Sequence, residues 1–311
     1  MNLGEPVKET PGPGRPRAAA RLYGLLGVML ACWAANFIFA KVATRELPAL
    51  LVGCLRTVCA GLLVLPIYLA ARRSTLFGGQ DWTARDVPQL LAIGVLGLVG
   101  NQIIFVMGIS RTSVAHSALL TALGPVFVLL GAAALSHERL NAPRLGGMAL
   151  AGMGVVLLQF GHSPGSSSSV GGDALQLLAT TVFAAFTVFG KKAASEFGII
   201  TINAFAFFGG TLAVLPYTVW GLMHVDLGKV SLTAWLSVLY MGLFPSIVGY
   251  FIYAYALRRL PASRVASVSY FQPVCATLLA VLFLHEQPGK EFVFGAVLIL
   301  AGVWITQTRG Q

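Results

Sequence analysis

Charge is scarce in this chain. Only 10% of its 311 residues are Asp, Glu, Lys or Arg, and 57% are hydrophobic, whereas a soluble domain carries about 25% charged residues. So little charge cannot clothe a single water-soluble globule, which excludes that class. The net charge of +10 does not mark a nucleic-acid partner, because the basic residues are spread over short segments between apolar runs instead of forming one patch. Cysteine is sparse too. Cys32, Cys54, Cys59 and Cys275 lie inside apolar runs, with neither zinc-ligand spacing nor a disulfide framework. No metalloprotease helix, Walker loop, dinucleotide fingerprint or Ser-His-Asp set occurs in a fitting context. An ATP-driven pump within the chain is excluded, and the sequence offers no enzyme, cofactor or metal site.

What the chain has in abundance is apolar length. Runs near or beyond the ~18 residues that mark a membrane-spanning helix fall at roughly 22–42, 48–70, 87–109, 113–135, 143–161, 173–192, 200–220, 233–256, 262–284 and 292–307. They predict an all-α polytopic membrane protein with ten transmembrane helices, its surroundings a lipid bilayer. Residues 1–20, with Pro11, Pro13 and Pro16 among glycines and arginines, are expected to form a disordered tail. A cleaved signal peptide is rejected, because the first apolar run continues through Trp33 to Ala40. Residues 162–172 form a Ser/Gly-rich linker.

The chain is also a duplication. Pro125-Val126, His137-Glu138, Gly147, Leu150 and Gly154-Val155 recur 148 positions later as Pro273-Val274, His285-Glu286, Gly295, Leu298 and Gly302-Val303. At an offset of 150, Val64-Leu65-Pro66 recurs as Val214-Leu215-Pro216, and the run Trp33–Lys41 meets Phe183–Lys191. The repeats occupy 21–161 and 173–307, five helices each. An odd number of crossings makes the second unit enter from the opposite face, an inverted repeat. Basic residues agree with this under the positive-inside rule. With the N-terminus inside, fifteen Lys and Arg fall in tails and inner loops, against five (Lys41, Arg45, Arg111, Lys229 and Lys290) outside. Both termini are then cytoplasmic, and the chain is a multi-pass protein of the cell membrane. Inverted repeats are the common plan of secondary transporters.

These two five-helix units, the Trp33…Asn36-Phe37…Lys41 run, and the Pro…Glu-then-Gly ladder closing each half resemble the drug/metabolite transporter superfamily, EamA type, over nearly the whole chain after residue 20. The resemblance implies a cytoplasmic-membrane carrier, often an exporter of amino acids or other small metabolites, with a central cavity between the halves. The pattern is broken at one place, since Asn36 has Phe186 as its counterpart.

Arg56 stands near the middle of the second span, where a charge costs roughly 2.5–3.5 kcal/mol on insertion scales. It either faces a cavity or locks onto backbone carbonyls; its counterpart is Ala206. Asn36 and Gln102 are amides in apolar spans that need partners or cargo. Trp33 shares a helical face with Asn36. Tyr270 and Gln272 precede Pro273, which frees a backbone carbonyl beside them. These six residues are the candidate substrate-binding cavity. His137-Glu138 and His285-Glu286 are read as architectural, each glutamate meeting backbone donors or basic groups at an interface, and the glycine ladders as letting spans 5 and 10 approach closely. All 11 acidic residues are placed in tails, loops or last helical turns. No carboxylate is then left near the midplane to pair with a cation or a proton. The expected cargo is therefore a neutral or zwitterionic small molecule such as an amino acid, carried by alternating access. A drug or cation proton antiporter, or a channel-like pore, are the competing readings.

Overall fold

The computed structural model describes residues 15–72, 82–134, 141–160, 169–257 and 271–308. Tyr270, His137-Glu138, most of the expected linker and residues 1–14 lie outside the described residues. Helix α1 runs Arg15–Ala43 and α2 runs Ala49–Arg72, so α1 reaches six residues back into the stretch read as a tail. Then follow α3 (Val87–Ile109), α4 (Val114–Ala134), α5 (Ala142–Phe160), α6 (Val170–Phe197) and α7 (Ile199–Met223). Helix α8 is built from Leu232–Leu243, Phe244–Val248 and Gly249–Leu257. The last two are α9 (Gln272–Leu284) and α10 (Lys290–Thr308). Among the described residues seven helices are long and apolar enough to cross a membrane, and Ala142–Leu157 and Gln272–Leu284 are shorter apolar helices.

Leu, Val, Ile and Phe cover the outside of these helices as well as the core. Leu96, Leu212, Phe283, Phe294 and Trp304 are all exposed, as they would be against hydrocarbon. Inside, α1 packs on α8 and α9, while α6 packs on α3 and α4; α2 crosses α7, and α5 crosses α10. The last crossing shows why small residues recur. A Cβ added to Gly302 would lie 2.5 Å from the Gly147 carbonyl oxygen and the Ala151 nitrogen, and one added to Gly154 would lie 2.8 Å from the Gly295 carbonyl oxygen. Only glycine lets two backbones approach this closely. These contacts pair Gly147 with Gly302 and Gly154 with Gly295, whereas in the repeat Gly147 corresponds to Gly295 and Gly154 to Gly302, so the two equivalent glycine pairs cross each other.

Two helices change winding. Residues Ala92–Val99 of α3 and Phe244–Val248 of α8 are π-helical. In α8 the cause is local: Pro245 has no N–H to donate to the Met241 carbonyl, so the ordinary ladder cannot pass through it. Helix α4 breaks between Thr121 and Gly124, just before Pro125, which has no N–H to donate to the Thr121 carbonyl. Helices α6 and α7 meet at Gly198, whose φ of 78° suits glycine.

Candidate functional site

The polar centre is assembled from α2, α3 and α8. Arg56 is only 3% exposed, and its Nη2 donates to the Ser246 hydroxyl (3.3 Å) and, at 3.5 Å, to the Met241 carbonyl. That carbonyl is available because Pro245 leaves it without its helical donor. The Ser246 hydroxyl also donates to Met241 (2.9 Å) and reaches the Gln102 amide oxygen at 3.5 Å. One guanidinium edge is thus held on oxygens. Its Nε is buried without a partner, and no carboxylate pairs with Arg56 among the described residues.

Helix α1 supplies one wall. The Trp33 indole donates to the Pro245 carbonyl (3.2 Å) and lies edge-on to Tyr250, with ring centroids 5.9 Å apart. It fits there because α8 carries glycine at 249, where a Cβ would lie 2.5 Å from the indole nitrogen. Asn36, one turn on, is buried with an unpartnered amide oxygen. Beside Ser246 and Tyr250 a cavity of about 10 Å³ opens between α2, α7 and α8, with Asn203 in its lining. That volume holds about one water. The Asn203 oxygen is also buried without a partner. Arg56 Nε and the amide oxygens of Asn36 and Asn203 are thus buried without partners on α2, α1 and α7, and buried polar groups in that condition are costly unless something binds them.

A second polar layer ties helix ends together, near Thr112. Glu286 accepts from the backbone N–H of Val114 (2.7 Å) and Ala115 (3.1 Å), capping α4. It is aimed there by His285, which leaves α9 with φ 55°, and its own N–H returns to Ala280. The Lys41 ammonium donates to the carbonyls of Ile109 and Thr112. Ser169 caps α6 and donates to the Arg111 carbonyl at 2.6 Å. Thr112 donates to Asp173, whose other oxygen is 3.0 Å from His116 Nδ1. At the same end Glu46 accepts from the Ser231 backbone N–H and hydroxyl, which hold its carboxyl below the usual carboxylate range.

Of the six residues singled out from the sequence, the structure joins Arg56 and Gln102 through Ser246, and sets Trp33 and Asn36 along the α1 wall. Gln272 opens α9 half-buried, and among the described residues no hydrogen bond links it to Arg56. Tyr270 lies outside the described residues. The placement of every acidic residue in a tail, loop or last turn is corrected at Glu291, in the exposed first turn of α10, and at Asp173. It occupies the first turn of α6 and is 1% exposed, because α6 starts at Val170 and the 110–113 turn folds over it. Glu286 does meet backbone donors, as its repeated His-Glu setting implied. Sequence reasoning missed Ser246, Asn203 and His116. A serine next to a proline inside an apolar run was the one available signal, and it needed the α2 contact to acquire meaning.

A bundle of apolar helices, exposed on its outside and polar at its centre, defines a multi-pass membrane protein. The sequence profile of the EamA-like transporter family matches residues 22–160 and again 170–308; this chain belongs to that family, and is a membrane transporter and not an enzyme. It is 29% identical over 300 residues to a probable amino-acid metabolite efflux pump of Escherichia coli K12, covering 92% of this chain and 95% of the relative. It is 26% identical over 281 residues to an uncharacterized transporter of Archaeoglobus fulgidus, covering 90% and 96%. A probable terminal-alkyne amino-acid exporter of Streptantibioticus cattleyicolor is 28% identical over 228 residues, 73% of this chain and 75% of the relative. A protein of known crystal structure matches with a TM-score of 0.62 at 19% identity, over 94% of this chain and 98% of that one, a likeness of fold.

Proposed function

We propose that this chain is a secondary transporter, an exporter or facilitator, of neutral or zwitterionic small molecules such as amino acids. It works by alternating access between two inverted five-helix halves, ten spans in all, with both termini in the cytoplasm. The observation that carries the cargo class is the set of buried unpaired groups on α1, α2 and α7. Arg56 Nε can donate to a carboxylate, and the amide oxygens of Asn36 and Asn203 can accept from an ammonium. A free amino acid has both groups. Aromatic walls at Trp33 and Tyr250 leave room for side-chain variation through their shape. The names given to the Escherichia coli and Streptantibioticus relatives point to the same class.

In this sidedness the Thr112 layer faces outward and is closed, and the small cavity lies in the cytoplasmic half. The cation-antiporter alternative is disfavoured because an unpaired guanidinium at the centre repels organic cations. The test is counterflow in proteoliposomes with labelled amino acids, nucleosides and a quaternary ammonium dye. Saturable amino-acid counterflow is expected. Counterflow of the dye with no response to amino acids overturns the cargo class, and electrical conductance without saturation overturns the carrier.

A further inference from the structure

Helix α4 caps itself and is capped a second time from the other half of the chain. The backbone N–H of His116 donates to the Ser113 hydroxyl at 3.1 Å, the ordinary cap supplied by the residue just before a helix. The N–H groups of Val114 and Ala115 go instead to the Glu286 carboxylate, which arrives from 172 and 171 positions away. Glu286 is half-buried and stands on the short strap between α9 and α10, turned off α9 by the left-handed His285. A cap needed merely to form α4 could come from the adjoining chain, as Ser113 does. Glu286 does what a local cap cannot: it binds the second half to the first at one end of the bundle.

This bond can be broken and remade. At a helix end beside water, the freed N–H groups and the carboxylate can all be hydrated, whereas in hydrocarbon they would be orphaned. Behind it the outer ends of the first half are tied together, because Lys41 of α1 donates to the carbonyls of Ile109 and Thr112 in the turn before α4. Lys41 also attracts Glu286. One turn below the cap, Ala118 is 1% exposed and shares a buried cluster with Ala276 and Ala280 of α9. Parting α9 from α4 uncovers it. Two other bonds between the halves lie at this end, Ser169 to Arg111 and Ser231 to Glu46, and both are exposed, where water competes for the same groups.

We propose that the Glu286 carboxylate is the latch of the extracellular side, holding α9 on α4 while that side is closed and letting go each time it opens. This rests on the carrier reading and its sidedness, but the test needs no cargo. Cys32, Cys54, Cys59 and Cys275 are replaced by alanine. A single reporter cysteine is then placed at Ala118, under the latch, or at Ile200, half-buried in the lining of the small cavity. A small membrane-impermeant thiosulfonate labels Ala118→Cys in right-side-out vesicles and Ile200→Cys in inside-out vesicles, with abundance read on the same samples. Loss of a hydrogen bond to a charged group is equivalent to roughly tenfold or more. Glu286→Ala should therefore speed labelling of Ala118→Cys at least about tenfold, and Glu286→Gln, which keeps one neutral acceptor oxygen, at least about threefold. Ile200→Cys should label no faster in either variant. Glu291→Gln, which removes an exposed carboxylate five positions on, should change neither reporter. Glu286→Gln carries the test where the alanine variant fails to reach the membrane. Unchanged labelling of Ala118→Cys, a parallel rise at Ile200→Cys, or an equal rise in Glu291→Gln overturns the proposal. Failed counterflow with latch-dependent labelling intact would sink the carrier reading alone.

Discussion

Arg56 holds a charge where lipid-facing sequence around it offers none, and only one edge of its guanidinium is occupied, by Ser246 and Met241. A hydrogen bond from a charged group contributes about 1.5–3 kcal/mol, equivalent to about 10–150-fold in affinity. Arg56→Ala should therefore lower amino-acid flux about 10–100-fold while membrane abundance stays near the parent's. Abundance and flux measured on the same vesicles decide this; a parallel collapse of both would make Arg56 a structural lock. At this scale the sequence was legible where chemistry clashes with setting. A lone arginine, an amide or a tryptophan beside an amide announces itself in apolar surroundings. Ser246 does not, because a serine can satisfy itself on its own helix, and only the arrival of Arg56 from α2 gives it a role.

Between α5 and α10 the repeat's glycines are spent on backbone contact. Gly302→Val would force side-chain atoms into the Gly147 carbonyl and the Ala151 nitrogen, both 2.5 Å from a Cβ at that position. Gly152→Val, on the same helix pair, meets nothing within 4 Å. Gly302→Val should lower folded protein severalfold, read by fluorescence-detected size exclusion, and Gly152→Val should leave it unchanged. Equal behaviour of the two would remove the close crossing. The glycine spacing was readable beforehand because 7-residue steps return to one face of a helix. The π-helical turns of α3 and α8 were not. In α8 the missing Pro245 N–H is joined by an Arg56 contact to the Met241 carbonyl, and Pro245 alone would equally have allowed a simple kink.

For the whole molecule, the proposed five crossings per repeat would place equivalent loops on opposite faces. The segment before α3 contains Arg85, and the equivalent segment before α8 contains Gly228. Both side chains or sites are exposed. With native cysteines removed, Gly228→Cys should react with an impermeant maleimide in intact cells, and Arg85→Cys only after lysis. Labelling of both from one side would end the inverted arrangement and, with it, alternating access between mirror halves.

Composition, run length and the paired offsets of 148 and 150 determined by themselves that this chain is helical, membrane-embedded and duplicated. Those properties are set by burial against lipid and by local period, both of which are written along one strand of sequence. The repeat also led to the expectation that Glu286 meets backbone donors or basic groups, and it meets the backbone N–H of Val114 and Ala115. The tertiary structure alone decided that Glu286 caps α4, that Arg56 reaches Ser246 across 190 positions, and that Asp173 is buried against His116. The physical reason is that a polar group in a low-dielectric interior takes its meaning from its partner, and partners brought from distant helices leave no pattern in the order of the chain.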